Sequence, residues 1–132
     1  MTTIGINHLG LTVRDLDQSV GFFTGALGWT VAGGNPDYPY AAVTDGHARL
    51  TLWQAKAAEP VAFDRHANIG LHHVAIGVDS ESALDDLANK VAAWPGVEVE
   101  FMPESLGGGP RFHAMIREPG GCRVELIWVP QH

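Results

Sequence analysis

The sequence contains a partial copy of itself. Asn7–Val13 reads N-H-L-G-L-T-V and His72–Val78 reads H-H-V-A-I-G-V, which pairs His8 with His73. Gly46–Trp53, G-H-A-R-L-T-L-W, lines up in the same way with Gly120–Ile127, G-G-C-R-V-E-L-I. Self-similarity of this kind marks a supersecondary unit built twice in one chain. Whatever the first half folds into, the second half must fold into as well, so each element can be read against its counterpart.

Ile4 to Val13 is rich in apolar and β-branched residues and is expected to be a strand. Asp15 can cap a helix whose apolar face is Leu16, Val20, Phe23 and Leu27, with Gly28 just past its end. Trp29 to Ala32 is a short strand candidate, and Gly33 to Asp37 carries turn chemistry. Tyr40 to Val43 and Arg49 to Trp53 are strands split by the turn pair Asp45-Gly46. Gln54 to Asn68 shows no periodicity and is expected to link the halves.

The pattern then returns. Leu71 to Val78 is a strand. Ser80 or Ser82 caps a helix carrying Leu84, Leu87 and Val91, with Asp85 and Asp86 near its positive end. Val97 to Met102, Phe112 to Arg117 and Arg123 to Val129 are strands. Gly107–Pro110 is a loop, and Glu118–Gly121 is a turn. The expectation is an α+β fold of two βαβββ modules related by pseudo-twofold symmetry: module one at residues 1–54, a linker at 55–69 and module two at 70–132, together one domain.

The 132 residues suit one such domain, and 45% hydrophobic with 17% charged residues is a globular balance. A net charge of −7 without a basic cluster excludes nucleic acid as the expected partner. No apolar run is long enough for a membrane span, and the N-terminus lacks the pattern of a signal peptide. One cysteine, Cys122, cannot form an internal disulfide, so a cytoplasmic location is expected. Nothing near it suggests an activated thiolate.

Seven histidines stand against eight lysines and arginines, so position has to separate the functional from the incidental. Strand residues alternate between faces. Leu9, Leu11 and Val13 are expected to face the first helix, which leaves His8, Gly10 and Thr12 on the open side. Val74, Ile76 and Val78 face the second helix, which puts His73 on the open side and His72 toward the helix or the edge. In the last strand Val124 and Leu126 pack inward, while Glu125 and Ile127 face the cavity. Two imidazoles and a carboxylate on open faces suit a divalent metal. The alternative is that Glu125 pairs with a nearby histidine or arginine. On the seventh strand Arg111, His113 and Met115 share one face, opposite Phe112, Ala114 and Ile116, and a neutral imidazole near a metal-bound substrate can act as a general acid–base. Thr51, Trp53 and Arg49 share the open face of their strand and are candidate substrate contacts, as are Arg111 and Met115. Trp29 and Trp128 are expected to pack. His47 and His132 are expected to be exposed.

The segments N-H-L-G-L-T-V-R-D-L, F-F-T-G-A-L-G-W, L-H-H-V-A-I-G-V and R-E-P-G-G-C-R-V-E-L together resemble the vicinal oxygen chelate superfamily of glyoxalase I, fosfomycin-resistance proteins, methylmalonyl-CoA epimerase, extradiol dioxygenases and bleomycin-resistance proteins. The last segment resembles the pattern D-P-x-G-x-x-[IV]-E-L, with Glu118 in place of the aspartate. The resemblance implies a glyoxalase-like fold whose modules curl into a cup of mixed sheet with metal at its base. Carried over, it implies ligands at His8, His73 and Glu125, holding Fe(II), Mn(II), Ni(II) or Zn(II), with His113 facing the same cavity, as pocket residues at this strand do in related proteins, and moving a proton. The place of glyoxalase I's fourth ligand falls at Thr51, and Gln54 nearby has the opposite parity. Gly10 stands where the fosfomycin proteins carry threonine. The implied activity is a dioxygenation or a glyoxalase-like isomerisation or lyase step on a small oxygen-bearing substrate. The alternative is a metal-free cleft that binds a drug, as in bleomycin resistance. A homodimer is implied in either case.

Overall fold

The computed structural model describes residues 1–131; His132 lies outside the described residues. The chain forms two compact units, Met1–Pro60 and the remainder from Val61 onward.

In the first unit, β1 (Leu9–Val13) leads to α1 (Leu16–Gly21), a π-helical turn (Phe22–Ala26) and strands β2 (Thr30–Asn35), β3 (Tyr40–Thr44) and β4 (Arg49–Gln54). In the second, β5 (Val74–Gly77) leads to α2 (Glu81–Ala92), then β6 (Glu98–Ser105), β7 (Phe112–Arg117) and β8 (Arg123–Trp128). Each unit is thus β-α-β-β-β. The sheet orders are β1-β4-β3-β2 and β5-β8-β7-β6, and in each the first strand runs parallel to the fourth while the other pairs are antiparallel. The copied sequence therefore produces a copied topology.

The register assigns the faces. Gly10 pairs with Thr51, Thr12 with Trp53, and Tyr40 with Trp53, so these residues share one face. Leu11, Val13, Leu50, Leu52 and Val43 are buried on the other, where α1 packs on β3 and β4. In the second unit Ala75 and Met115 both pair with Glu125, and His113 pairs with Ile127. Val124, Leu126, Ala114 and Ile116 are buried toward α2, which buries Leu84, Ala88 and Val91 against β6, β7 and β8. Each large aliphatic side chain taken out of water this way contributes about 1.5–3 kcal/mol.

Both helices start on the expected caps: the Asp15 carboxylate accepts from the Gln18 amide and the Ser80 hydroxyl from the Ala83 amide. The first helical segment departs from the expected face. Its buried residues are Ser19, Phe22, Phe23 and Ala26, while Val20 and Leu27 are half-buried. These fall at offsets of three, four and seven, an ordinary helical stripe rotated from the expected one, so Val20 and Leu27 lie at its edge. Gly28 follows with φ of +74°, the left-handed geometry expected at that end.

The strands also differ in extent. β1 and β5 start later than expected, leaving His8, His72 and His73 in the segments that enter the sheets. β2 runs on through Gly33 and Gly34 instead of turning there, with a bulge between Val31 and Gly33. Gly34 is required: a Cβ on it would lie 2.8 Å from the Tyr40 carbonyl oxygen. No helix among the described residues is long and apolar enough to cross a membrane.

Candidate functional site

The polar centre of the second unit is Glu125. It is 7% exposed, on a strand whose neighbours are apolar. One carboxylate oxygen, Oε2, stands 2.8 Å from His113 Nδ1. The other, Oε1, stands 3.9 Å from His73 Nε2. A carboxylate accepts, so the short contact is an Nδ1–H donation from His113, which leaves His113 Nε2 as the ring nitrogen with the lone pair. His113 is half-buried beside the Phe101 ring, 4.8 Å between centroids. The sequence left two partners open for Glu125, a cation or a neighbouring side chain, and one of its oxygens has the side chain.

The 3.9 Å between His73 Nε2 and Glu125 Oε1 exceeds a hydrogen bond. Two donors each about 2.1 Å from one ion stand up to about 4.2 Å apart. The pair has the donor chemistry for a divalent cation and lies within that upper limit. Among the described residues, no three or more His, Cys, Asp or Glu side chains are gathered to hold a metal ion. His8, in the first unit, is exposed, and its Nδ1 lies 2.8 Å from the Asn7 side-chain oxygen.

His72 is not on the helix side. It is exposed, and its Nδ1 lies 2.7 Å from His73 Nδ1 and 3.2 Å from an Arg123 guanidinium nitrogen. Desolvation, with the Arg123 charge next, holds the His72 imidazole below its ordinary pKa. Arg123 grips Glu100 at the same time, Nε to Oε1 at 2.7 Å and the second terminal nitrogen to Oε2 at 2.8 Å. The Arg123 bond pulls Glu100 below the usual carboxylate range, against an opposing desolvation. Sequence reasoning missed this arrangement. Its signals were the His72-His73 doublet and an arginine two residues before Glu125.

In the first unit the positions equivalent to His113, Glu125 and Ile127 are Tyr40, Thr51 and Trp53. The Trp53 indole N–H donates to the Thr51 hydroxyl at 3.1 Å. Tyr40 stacks on Trp53 at 4.7 Å and 22°, and Tyr38 meets it edge-on at 5.6 Å. Gly10 keeps this surface open, because a Cβ there would stand 3.3 Å from the Thr51 hydroxyl oxygen. Gln54 is turned away: its side-chain oxygen accepts from the Leu16 amide and its nitrogen donates to the Arg14 and Ala55 carbonyls. Of the two residues near the fourth-ligand position, only Thr51 is on the open face.

The remaining candidates divide by exposure. Met115 is buried beside Glu125 in the register. Arg49 and Arg111 are exposed, Arg111 just ahead of β7. Trp29 is buried against Phe23, and Trp128 lies near the Phe112 ring. Glu118 is a turn residue, its carboxylate accepting from the Gly120 and Cys122 amides. Burial, and then the Glu118 charge, push the Cys122 thiol up to about 12, so it is no nucleophile at neutral pH.

The model of the Glyoxalase/Bleomycin resistance protein/Dioxygenase superfamily matches residues 5–126. The chain belongs to this superfamily. A 2-epi-5-epi-valiolone epimerase from Actinomyces sp. is 29% identical over 96% of this chain and 80% of its own length. A probable lactoylglutathione lyase from Vibrio cholerae is 29% identical over 96% of this chain and 92% of its own. The structure of a superfamily domain from Frankia sp. EAN1pec superposes with a TM-score of 0.82 at 25% identity, covering 98% of this chain and 95% of that one. Superfamily membership and the doubled βαβββ topology agree.

Proposed function

We propose that this superfamily member is a divalent-metal-dependent enzyme that moves a proton on a small oxygen-bearing substrate, in an isomerisation, epimerisation or lyase step. The observation that carries this is the divided Glu125 carboxylate, one oxygen fixed by His113 and the other facing His73 Nε2. His73 and Glu125 would hold the ion, with His8 as third donor on the strength of the repeat. When bound, the ion supplies Lewis acidity toward substrate oxygens. His113 does the proton work: Glu125 holds its Nδ1–H, so Nε2 is oriented and free to take a proton from carbon and return it. The names of the two sequence relatives, an epimerase and a lyase, favour this chemistry over dioxygenation. The substrate would lie over the Glu125 face, where Met115 supplies an apolar floor. Arg111 would meet an anionic group at the rim, and Thr51, Trp53 and Arg49 would be the first unit's contacts. The working form would be a cytoplasmic homodimer.

Metal analysis by mass spectrometry of untagged protein prepared without chelators tests this directly. About one divalent ion per chain is expected, with little in His73→Ala or Glu125→Ala. No metal in the wild type even after reconstitution would overturn the proposal. In loaded protein, His113→Gln should keep the metal and lose about 100-fold or more in turnover.

A second arrangement is favoured by the Tyr38–Trp53–Tyr40 cluster, an aromatic platform suited to a flat ligand held without metal. Quenching of tryptophan fluorescence by such a ligand, unchanged in His73→Ala, would support it.

A further inference from the structure

We infer that His72 and Arg123 form a positioning relay that fixes the proton of His73 on Nδ1 and so presents the Nε2 lone pair toward Glu125. The inference rests on the ligand role proposed for His73, and it adds the residues that prepare that ligand.

The argument begins at the guanidinium, which has donors only and no acceptor. Arg123 spends Nε and one terminal nitrogen on the two oxygens of Glu100, at 2.7 and 2.8 Å. This planar fork fixes the guanidinium and directs its remaining terminal nitrogen at His72 Nδ1, 3.2 Å away. Arg65 stands 3.9 Å from the same carboxylate and adds to the anchoring charge. Because Arg123 donates, His72 Nδ1 must accept, and the proton of His72 is on its Nε2. His73 Nδ1 approaches that same acceptor to 2.7 Å. Two lone pairs cannot share such a contact, so His73 Nδ1 carries the hydrogen. A neutral imidazole has one N–H, which leaves His73 Nε2 bare, and this is the nitrogen that faces Glu125 Oε1. A hydrogen bond from the far nitrogen of a ligating histidine fixes its tautomer and ring orientation, and removing one typically weakens metal binding 10–100-fold. Lysine cannot reproduce the relay, since a point charge cannot hold both Glu100 oxygens and His72 in one plane.

The first unit lacks the counterpart: Asn7 occupies the place of His72, and its side-chain oxygen lies 2.8 Å from His8 Nδ1. An amide oxygen accepts as His72 Nδ1 does, so the same polarity recurs with different chemistry.

The test is long-range nitrogen–proton NMR on the metal-free full chain, labelled with nitrogen-15, at a pH where the imidazoles are neutral. Wild-type His73 should show a pyrrole-type Nδ1 and a pyridine-type Nε2, the form that free histidine disfavours. Arg123→Lys and His72→Phe should move His73 to the Nε2–H form, and zinc titration should show about 10–100-fold weaker binding in both. Circular dichroism confirms that each variant folds. An Nε2–H form of His73 in the wild type, or an unchanged pattern in both variants, overturns the inference. The expected tautomer with no metal uptake would support the relay and overturn the ligand role instead.

Discussion

At the residue scale, the open face of the second unit carries an imidazole and a carboxylate where the first unit carries a tyrosine and a threonine beside a tryptophan. His113, Glu125 and Ile127 stand where Tyr40, Thr51 and Trp53 stand in the other copy. In the proposed function the second sheet would carry the chemistry and the first would supply a binding wall. The acidic end of the relay has its own pH consequence. Arg123 depresses the Glu100 pKa in the folded chain. A depressed folded pKa means that the unfolded chain takes up the proton first as pH falls. The stabilisation from Glu100 is therefore complete above the unfolded value of about 4.3 and is lost as pH falls through the folded one. Glu100→Gln should lower the denaturation midpoint at neutral pH and flatten its decline below about pH 4.5; equal acid slopes in both proteins would refute this role. Parity grouped His113 with Arg111 and Met115 on β7, and the family resemblance turned that group toward Glu125. The sequence did not show which oxygen faces which ring, because that depends on side-chain rotamers. It left His72 between the helix side and the edge, because the two-residue period holds only within a strand and β5 begins after it, at Val74.

At the element scale, the same cause explains the other departures. Strand and helix identities were legible throughout, because apolar alternation and the Asp15 and Ser80 caps are local signals. Entry points and irregularities were not. The β2 bulge depends on pairing with β3, which is a tertiary effect. Gln54 illustrates the point. By sequence it was a possible metal donor, yet its side chain ties the end of β4 to the start of α1, bonding the Leu16 amide and the Arg14 carbonyl at 2.8 Å each. A helix this short gains little from its own hydrogen bonds and depends on such ties. Gln54→Ala should cost about 1–3 kcal/mol in denaturant unfolding while leaving metal content per folded chain unchanged. Loss of metal at unchanged stability would instead make Gln54 a ligand.

At the scale of the whole molecule, the segments that lead into β1 and β5 set the expected assembly. Both carry apolar side chains that the single chain leaves in water: Ile4 at 103% and Ile6 at 87% exposure before β1, Val61 at 94% and Ile69 at 105% before β5. Isolated exposed aliphatics are ordinary, but several within a short segment that flanks a candidate ligand are side chains of the kind that association covers. The proposed homodimer would cover such segments on both partners, since a twofold axis presents the same residues twice. Light scattering should therefore give twice the 14.1 kDa of one chain. Ile6→Ser with Ile69→Ser should shift the mass toward one chain at low micromolar concentration and weaken metal binding in parallel. A wild-type mass of one chain at every concentration would refute the dimer. A monomeric double variant with full metal binding would show that assembly and ligation are independent.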